Sequence, residues 1–551
     1  MNRNCEPSVY YLPVIKEIRR LISWQDREPF SSTYGSFDRT YWCWKFTDFP
    51  GARFQEGTYA LAYLFCKPFP GNCFAENKII LQWALAGMNF WRIKQYRDGS
   101  FDEAYPFEHS LAATAFTSFY AGEAFRLLEN YIPKKDREVL CNAFSRAGNW
   151  LCVNDERHGI LSNHLAAAAA ALESIYRICG DMKYRKRSKY FLGKIYKHQS
   201  GEGWYEEYSG ADPGYQTHCT FYLAWIWKST GDTKLLESLK HSIDFLKYFI
   251  HPNGTLGGEY GSRNTEFYFP AGFEILAHVI PEAASIARFM RQSVAVQNAA
   301  GLAAMDVYNY LPMLNNYLFA AGNTKDLHSS DVELPCKSEV NKYFPSAGLY
   351  VKSTSVYYCV LGLSKGGVLK GYDRKTGKLV ASDCGYWAEL YSGKVVTSQS
   401  LNNLGQWKES NNAFNVVSDF ILINNFVQTP ILFIGFRIYT LTLGRLQSAA
   451  YWIKNLLVRM LIQRRKKVPM RLSRQICFKE REIIVSDRIE MTGKLNVRIL
   501  KHGTKFASIH MGSSRYFQEQ ELDKVYNHEQ NWAEHLVRSR KVGIEHTFSF
   551  V

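Results

Sequence analysis

Four short glycine loops, recurring between helix-length segments, constrain this chain more than any other feature of its 551 residues. They read Asp98-Gly-Ser-Phe-Asp-Glu103, His158-Gly-Ile-Leu-Ser-Asn163, Glu202-Gly-Trp-Tyr-Glu-Glu207 and Asn253-Gly-Thr-Leu-Gly-Gly-Glu259. Roughly 45 to 60 residues separate successive loops, room for two helices of about four to five turns and their connections. The pattern predicts repeated helical hairpins, which stack as an open solenoid or close into a ring. Helices are expected over 106–131, 136–152, 164–179, 184–198, 216–229, 235–250 and 271–291. The six alanines from Ala166 to Ala171 favour helix and let neighbouring helices approach closely.

Loops of one type gather on one face of such an array. Glu103, Glu207, Asp212, His218, Glu259 and Asn264 fall in or beside them and are candidates for binding a polar substrate. An aromatic content of 15% suits stacking on sugar rings as well as it suits a core.

Beyond residue 340 the helical pattern gives way to strand-like runs such as Val356-Tyr-Tyr-Cys-Val-Leu-Gly-Leu and Glu482-Ile-Ile-Val-Ser, with polar turns such as Asp373-Arg-Lys-Thr-Gly377. The chain therefore reads as α+β. A helical domain over 1–325, expected to form an α/α toroid, is followed by a linker at 326–340 and an antiparallel β-sandwich over 341–551. Twelve scattered cysteines, without C-x-x-C pairs or zinc-like spacing, read as free thiols, and neither a metal nor a cofactor is expected.

The net charge of +16 is concentrated: residues 430–474 hold ten Lys/Arg and no Asp or Glu. Ile453, Leu456, Leu457, Met460 and Leu461 share one helical stripe there, so the segment reads as a basic amphipathic insertion. Trp452, Lys454, Arg459, Arg464, Arg465, Lys466 and Lys467 would meet an anionic membrane surface. Packing on the sandwich with a solvated basic rim fits equally well. No window reaches the roughly 20 apolar residues of a membrane-spanning helix. Charged residues interrupt the N-terminal apolar stretch, so a cytoplasmic protein is expected, peripheral on the membrane's inner face if the insertion docks there. Nucleic acid is not an expected partner, since no zinc-finger, RRM or KH pattern occurs. Oligomeric state is not legible.

Three motifs carry a resemblance. Ser162-Asn163-His164 opens the alanine-rich helix, Trp204-Tyr-Glu-Glu-Tyr-Ser-Gly-Ala-Asp-Pro-Gly-Tyr215 opens a later one, and Phe344-Pro-Ser-Ala-Gly-Leu349 leads into the first strand. In this arrangement the chain resembles the heparinase II/III-like polysaccharide lyases and their alginate-lyase relatives. The resemblance implies β-elimination on an acidic, uronate-containing polysaccharide or oligosaccharide, with catalytic roles falling on Asn163, His164 and Tyr215.

That chemistry needs the substrate carboxylate neutralised, a base for the adjacent carbon-bound proton, and an acid for the departing oxygen. An Asn amide donates to a carboxylate, and a His moves protons. A Tyr, with an ordinary pKa of about 10, serves when a cation lies beside it. Arg263, on the same face, is the candidate cation. Duller roles are open to each: Asn163 as a helix N-cap, His164 and His218 as structural histidines, and Tyr215 as a packing residue after Pro213-Gly214. The same face would also serve a uronate C5-epimerase, a glycoside hydrolase using two of the loop carboxylates, or a glycan-binding factor in polysaccharide biosynthesis without catalysis. One departure stands out. The family's second histidine, before an Asp-x-Gly strand of the sandwich, has no counterpart between Ser364 and Gly385, where Lys365 and Lys370 can supply only charge.

Overall fold

The computed structural model describes residues 8–157, 159–325, 332–399, 401, 407–410, 412–423, 427–458, 460, 466–503 and 531–551. Besides the short helix Arg39–Trp42, twelve helices build the first domain: α1 (Ser8–Trp24), α2 (Gly57–Cys66), α3 (Lys78–Lys94), α4 (Leu111–Leu128), α5 (Lys134–Val153), α6 (Ser162–Cys179), α7 (Met182–Lys197), α8 (Pro213–Thr230), α9 (Thr233–Leu246), α10 (Ala271–Leu276), α11 (Pro281–Ala295) and α12 (Tyr310–Ala321). The even-numbered helices touch in sequence order, and α12 returns to α2, closing an inner ring. The odd-numbered helices lie outside it, making an α/α toroid of six hairpins.

Composition explains the two rings. Every residue of α6 from Leu165 to Leu172 is fully buried, so the alanine run lies where helices crowd from both sides. Outer α9 instead buries one face, its apolar members Leu235, Leu239, Ile243, Phe245 and Leu246. The loop glycines follow from the same crowding. Gly99 and Gly203 have φ of +99° and +98°, and a Cβ on either would stand 2.2 Å from the Arg146 carbonyl oxygen or 2.1 Å from that of His241. Gly35, in Gly35-Ser-Phe-Asp38, repeats this geometry at φ +93°, with the Ala86 oxygen 2.2 Å away. A glutamine before each loop donates to the next outer helix: Gln25 to Trp83 O at 2.8 Å, Gln95 to Ala143 O at 2.9 Å and Gln199 to Ser238 O at 2.9 Å.

The repeat thus begins some sixty residues before the first loop recognised in the sequence. The segment expected as one helix over 271–291 is two, because Ile280 is extended and Pro281 opens a new helix. The helix expected from Pro106 starts at Leu111, after Phe107 and His109 adopt positive φ.

Two antiparallel sheets form the second domain. The first holds β1 (Val340–Phe344), β2 (Leu349–Ser353), β3 (Tyr357–Gly362), β4 (Val368–Asp373) and β5 (Leu379–Asp383), paired in chain order. The second holds β6 (Tyr386–Leu390), β7 (Val395–Thr397), β8 (Trp407–Ser410), β9 (Ala413–Leu422), β10 (Lys467–Phe478), β11 (Glu482–Met491), β12 (Val497–His502) and β13 (Lys541–Ser549). Its order is β12-β6-β7-β9-β10-β11-β13, with β8 on β9. Phe414, Val416, Ile476 and Val485 meet Tyr350, Cys359 and Leu361 between the sheets.

The sandwich is locked onto the loop face of the toroid. Glu202 accepts from Ser346 N at 2.7 Å and Ala347 N at 3.0 Å, Lys370 pairs with Glu259 at 2.7 Å, and Phe344 lies among Phe245, Tyr248 and Phe249.

The basic insertion packs on the toroid and not on the sandwich. Helices α13 (Pro430–Leu441) and α14 (Gln447–Val458) leave the sandwich between β9 and β10 and lie against the toroid. Tyr451 donates to Asn154 Oδ1 at 2.6 Å, Arg437 pairs with Asp48 at 2.9 Å, and Phe436 meets Tyr105 edge-on at 5.1 Å. The residues from Lys467 onward are strand: Lys467 and Arg471 pair with Asp419, and Arg474 is fully buried between Asp383 and Asp487. Arg459, Arg464 and Arg465 lie outside the described residues. Trp452 is 60% exposed, and Lys466 is exposed.

Candidate functional site

Backbone bonds lace three of the loops together. Ser162 donates through N and Oγ to Glu206 O at 3.3 and 2.7 Å, and Tyr208 N donates to Ile160 O at 3.1 Å. Ser262 N reaches Ala211 O at 2.9 Å, and its Oγ reaches Glu207 O at 3.0 Å. Asn163, His164, Tyr215 and Arg263 are thereby gathered at the helix starts of α6 and α8 and in the loop before α10.

Asp212 sets the position of Tyr215. Its Oδ1 caps α8 by accepting from Tyr215 N at 3.0 Å, and its Oδ2 accepts from Arg263 N at 2.8 Å. Gly214 allows the close approach, since a Cβ there would fall 2.6 Å from Thr265. The Arg263 guanidinium consequently lies over the Tyr215 ring, Cζ 4.3 Å from its centroid, and Nη1 donates to Glu207 Oε1 at 2.8 Å. Burial works against the charged guanidinium, but the Tyr215, Glu207 and Tyr208 oxygens more than offset it and hold Arg263 protonated. Burial pushes the Glu207 carboxyl up to about 7 against the pull of Arg263.

His164 is partly exposed, and its Nδ1 bonds Glu156 Oε2 at 2.9 Å. Asn163 is buried, and its Oδ1 accepts from His164 N at 2.9 Å. The helix N-cap is Leu161, so Asn163 sits inside the first turn and is not the cap that its position in the sequence allows. His164 and Tyr215 are the members of this group that reach solvent.

The other candidates have different tasks. His218 is stacked between Phe116 and Phe269, with centroids 5.6 and 4.2 Å away, and Nε2 has no hydrogen-bond partner among the described residues. Burial, with Arg53 and His164 nearby, holds it well below the ordinary histidine range and therefore neutral. Asp212 is a buried positioning residue. Glu207 and Glu259 are buried in ion pairs with Arg263 and Lys370, and the Asn264 carbonyl accepts from Lys365 Nζ. None of these four is a free acceptor for sugar hydroxyls. Glu103 alone among the acidic candidates is partly exposed, 3.4 Å from Arg53.

Arg53, Glu108, Glu156, Tyr208 and Lys454 complete the neighbourhood. Arg53 stands over Phe116 at 4.2 Å, and Phe116 also meets His164 edge-on at 5.6 Å. Its partner Glu56 is pushed by burial up to about 7. Lys454, expected on a membrane surface, instead pairs with Glu108 at 3.1 Å beneath α14. Burial disfavours its charge, but Glu108 and Glu156 outweigh that and raise its pKa. Glu156 had a local signal, lying eight residues before His164. Arg53 precedes the repeat as read, and nothing in sequence ties Lys454 to residues three hundred positions earlier.

Two histidines from other strands of the sandwich lie beside Asp383 at the end of β5. His502 of β12 meets Asp383 at 3.0 Å, and His546 of β13 stacks on it at 4.2 Å. Arg474 occupies the centre of this cluster, bonding Asp383 and Asp487. Among the described residues no group of three or more His, Cys, Asp or Glu is arranged to hold a metal ion.

Part of this geometry lies within a span that matches a known family. Residues 72–269 match the ulvan lyase N-terminal domain family. The matched span contains Asn163, His164, Tyr215 and Arg263. No curated protein matches the sequence. Among solved structures, chondroitin AC lyase of Streptomyces coelicolor A3, in complex with chondroitin sulphate, is similar with a TM-score of 0.56 and 8% identity, over 91% of this chain and 68% of that one. A Paenibacillus xanthan lyase is similar with a TM-score of 0.50 and 9% identity, over 90% of this chain and 46% of that one. At such identities the likeness is one of fold. The resemblance to polysaccharide lyases read from short motifs is upheld, and the domain that matches is the ulvan lyase one.

Proposed function

We propose that the chain is a polysaccharide lyase that cleaves an acidic, uronate-containing polysaccharide by β-elimination. The observation that carries this reading is the pairing of two partly exposed proton-moving side chains with buried, oppositely charged supports: Tyr215 under Arg263, and His164 on Glu156.

In this mechanism Asn163 and the charge of Arg263 offset negative charge building on the uronate carboxylate as the C5–H bond breaks. His164 takes that proton, and Glu156 steadies the resulting imidazolium. The electron pair left on C5 forms the C4–C5 double bond as the C4–O bond breaks, and Tyr215 gives its proton to the leaving oxygen. Arg263 stabilises the phenolate left behind, and solvent returns the proton from His164 to Tyr215. A hydrolase is less well supported, because Glu207, Asp212 and Glu259 are committed to cations or backbone.

Incubation with a panel of uronate polysaccharides, ulvan and chondroitin among them, tests the reading through the absorbance of unsaturated products. Deuterium uptake at C5 without cleavage, reducing ends without unsaturation, or binding with no product would each replace it, by an epimerase, a hydrolase or a glycan-binding factor.

A further inference from the structure

Helix α13 presents two opposed faces. One is fixed to the toroid: Phe436 meets Tyr105, Arg437 pairs with Asp48, and Thr440 is buried. On the other, Ile431, Ile434, Ile438 and Leu441 recur every three or four residues, with 82, 58, 59 and 39% of their surface exposed. Leu443 and Leu446 in the following turn are 58 and 61% exposed, and Trp452 of α14 is 60% exposed. Large apolar side chains are ordinarily exposed singly, and a contiguous set marks an interaction surface.

Charge narrows the choice of partner. Residues 430–474 contain no Asp or Glu, and Arg445, in the turn between the helices, is exposed with its guanidinium Cζ 5.0 Å from the Phe107 ring centroid. An outward apolar stripe flanked by Trp452 and Arg445, with no acid in the segment, has the chemistry of a helix lying in a membrane interface. Twelve residues cannot span a bilayer, and no described helix is long and apolar enough to cross one.

We propose that α13 and the turn after it dock the protein on an anionic membrane surface, the apolar stripe entering the acyl boundary and Arg445 lying among headgroup phosphates. This does not depend on the lyase reading, since α13 contains none of the residues given a catalytic role.

Flotation of the full chain with vesicles of phosphatidylcholine, alone or mixed with phosphatidylglycerol, tests the proposal. Binding is expected to the mixed vesicles and to weaken with salt. Ile434→Glu/Ile438→Glu is expected to lower the partition coefficient about tenfold or more, with unchanged thermal unfolding because both side chains are exposed. Arg445→Glu is expected to lower binding to the mixed vesicles selectively. Absence of binding to mixed vesicles, or equal binding by the double variant, overturns the proposal. So does a wild-type dimer that ignores vesicles and becomes monomeric in the double variant, which would make the stripe a contact between copies.

Discussion

The Arg263 guanidinium covers the ring of Tyr215 at 4.3 Å while its Nη1 holds the Glu207 carboxylate at 2.8 Å. One buried cation therefore serves a buried acid and a partly exposed phenol at the start of α8. Tyr215→Phe keeps the ring under the cation and removes only the hydroxyl. Turnover is expected to fall by about 10²- to 10⁴-fold, the usual worth of a general acid or base, with unchanged thermal unfolding. Full activity of this variant would remove Tyr215 from the mechanism.

Arg263→Met leaves Glu207 buried without its cation, which costs about 3–5 kcal/mol when a buried pair is broken from one side. Arg263→Met/Glu207→Gln should recover most of that stability in urea unfolding, because no unpaired charge remains. Activity should not return, since the phenolate has lost its support. Recovery of both together would reduce Arg263 to a structural role.

The site was legible where its signal was local. The glycine loops announced the hairpins, at Gly99 and Gly203 because a backbone carbonyl lies where a Cβ would be, and Asn163, His164 and Tyr215 stand at helix starts that the loops define. The spent carboxylates were not legible. Asp212 and Glu259 look like substrate acceptors until tertiary contacts supply Arg263 N and Lys370 as partners. Residues 430–474 show the same limit: the charge run was visible, but Lys454 facing Glu108 and Arg474 facing two aspartates depend on contacts no sequence window spans.

Lys454 and Glu108 join α14 to the toroid beside the His164–Glu156 pair. A double-mutant cycle with Lys454→Met and Glu108→Gln should show a coupling of about 1–3 kcal/mol in unfolding free energy. Lys454→Met should also raise hydrogen exchange across 430–458. A coupling near zero would make the contact incidental.

The loop glycines differ in what surrounds them. Gly203→Ala places a methyl group 2.1 Å from His241 O, whereas Gly231, also at positive φ, has nothing within 4 Å of its Cβ position. Gly231→Ala should cost about 1 kcal/mol, the price of a left-handed alanine. Gly203→Ala should cost at least about 2 kcal/mol more, because helix α9 must move. Equal midpoint shifts in urea would mean that the loop relaxes freely.

Buried titrating groups give stability opposing dependences on acid. His251 bonds Thr255 and Tyr372 through Nδ1 and Tyr260 through Nε2, and burial pushes its pKa down to about 3, with Lys370 adding and Glu259 opposing. Its unfolded value is about 6.5, so the unfolded chain takes the proton first, and stability falls as pH drops below 6.5. Glu56 and Glu207, raised to about 7 by burial, act in reverse: the folded state takes their protons first, and stability rises as pH falls from 7 towards 4.5. The wild-type curve between these limits is thus a partial cancellation, and its shape alone identifies no residue. His251→Gln removes one destabilising contribution, so its stability relative to wild type should improve on acidification by up to about 1.4 kcal/mol per pH unit between 6.5 and 4.5. Parallel wild-type and variant curves across that window would show that His251 takes up its proton without disturbing the fold.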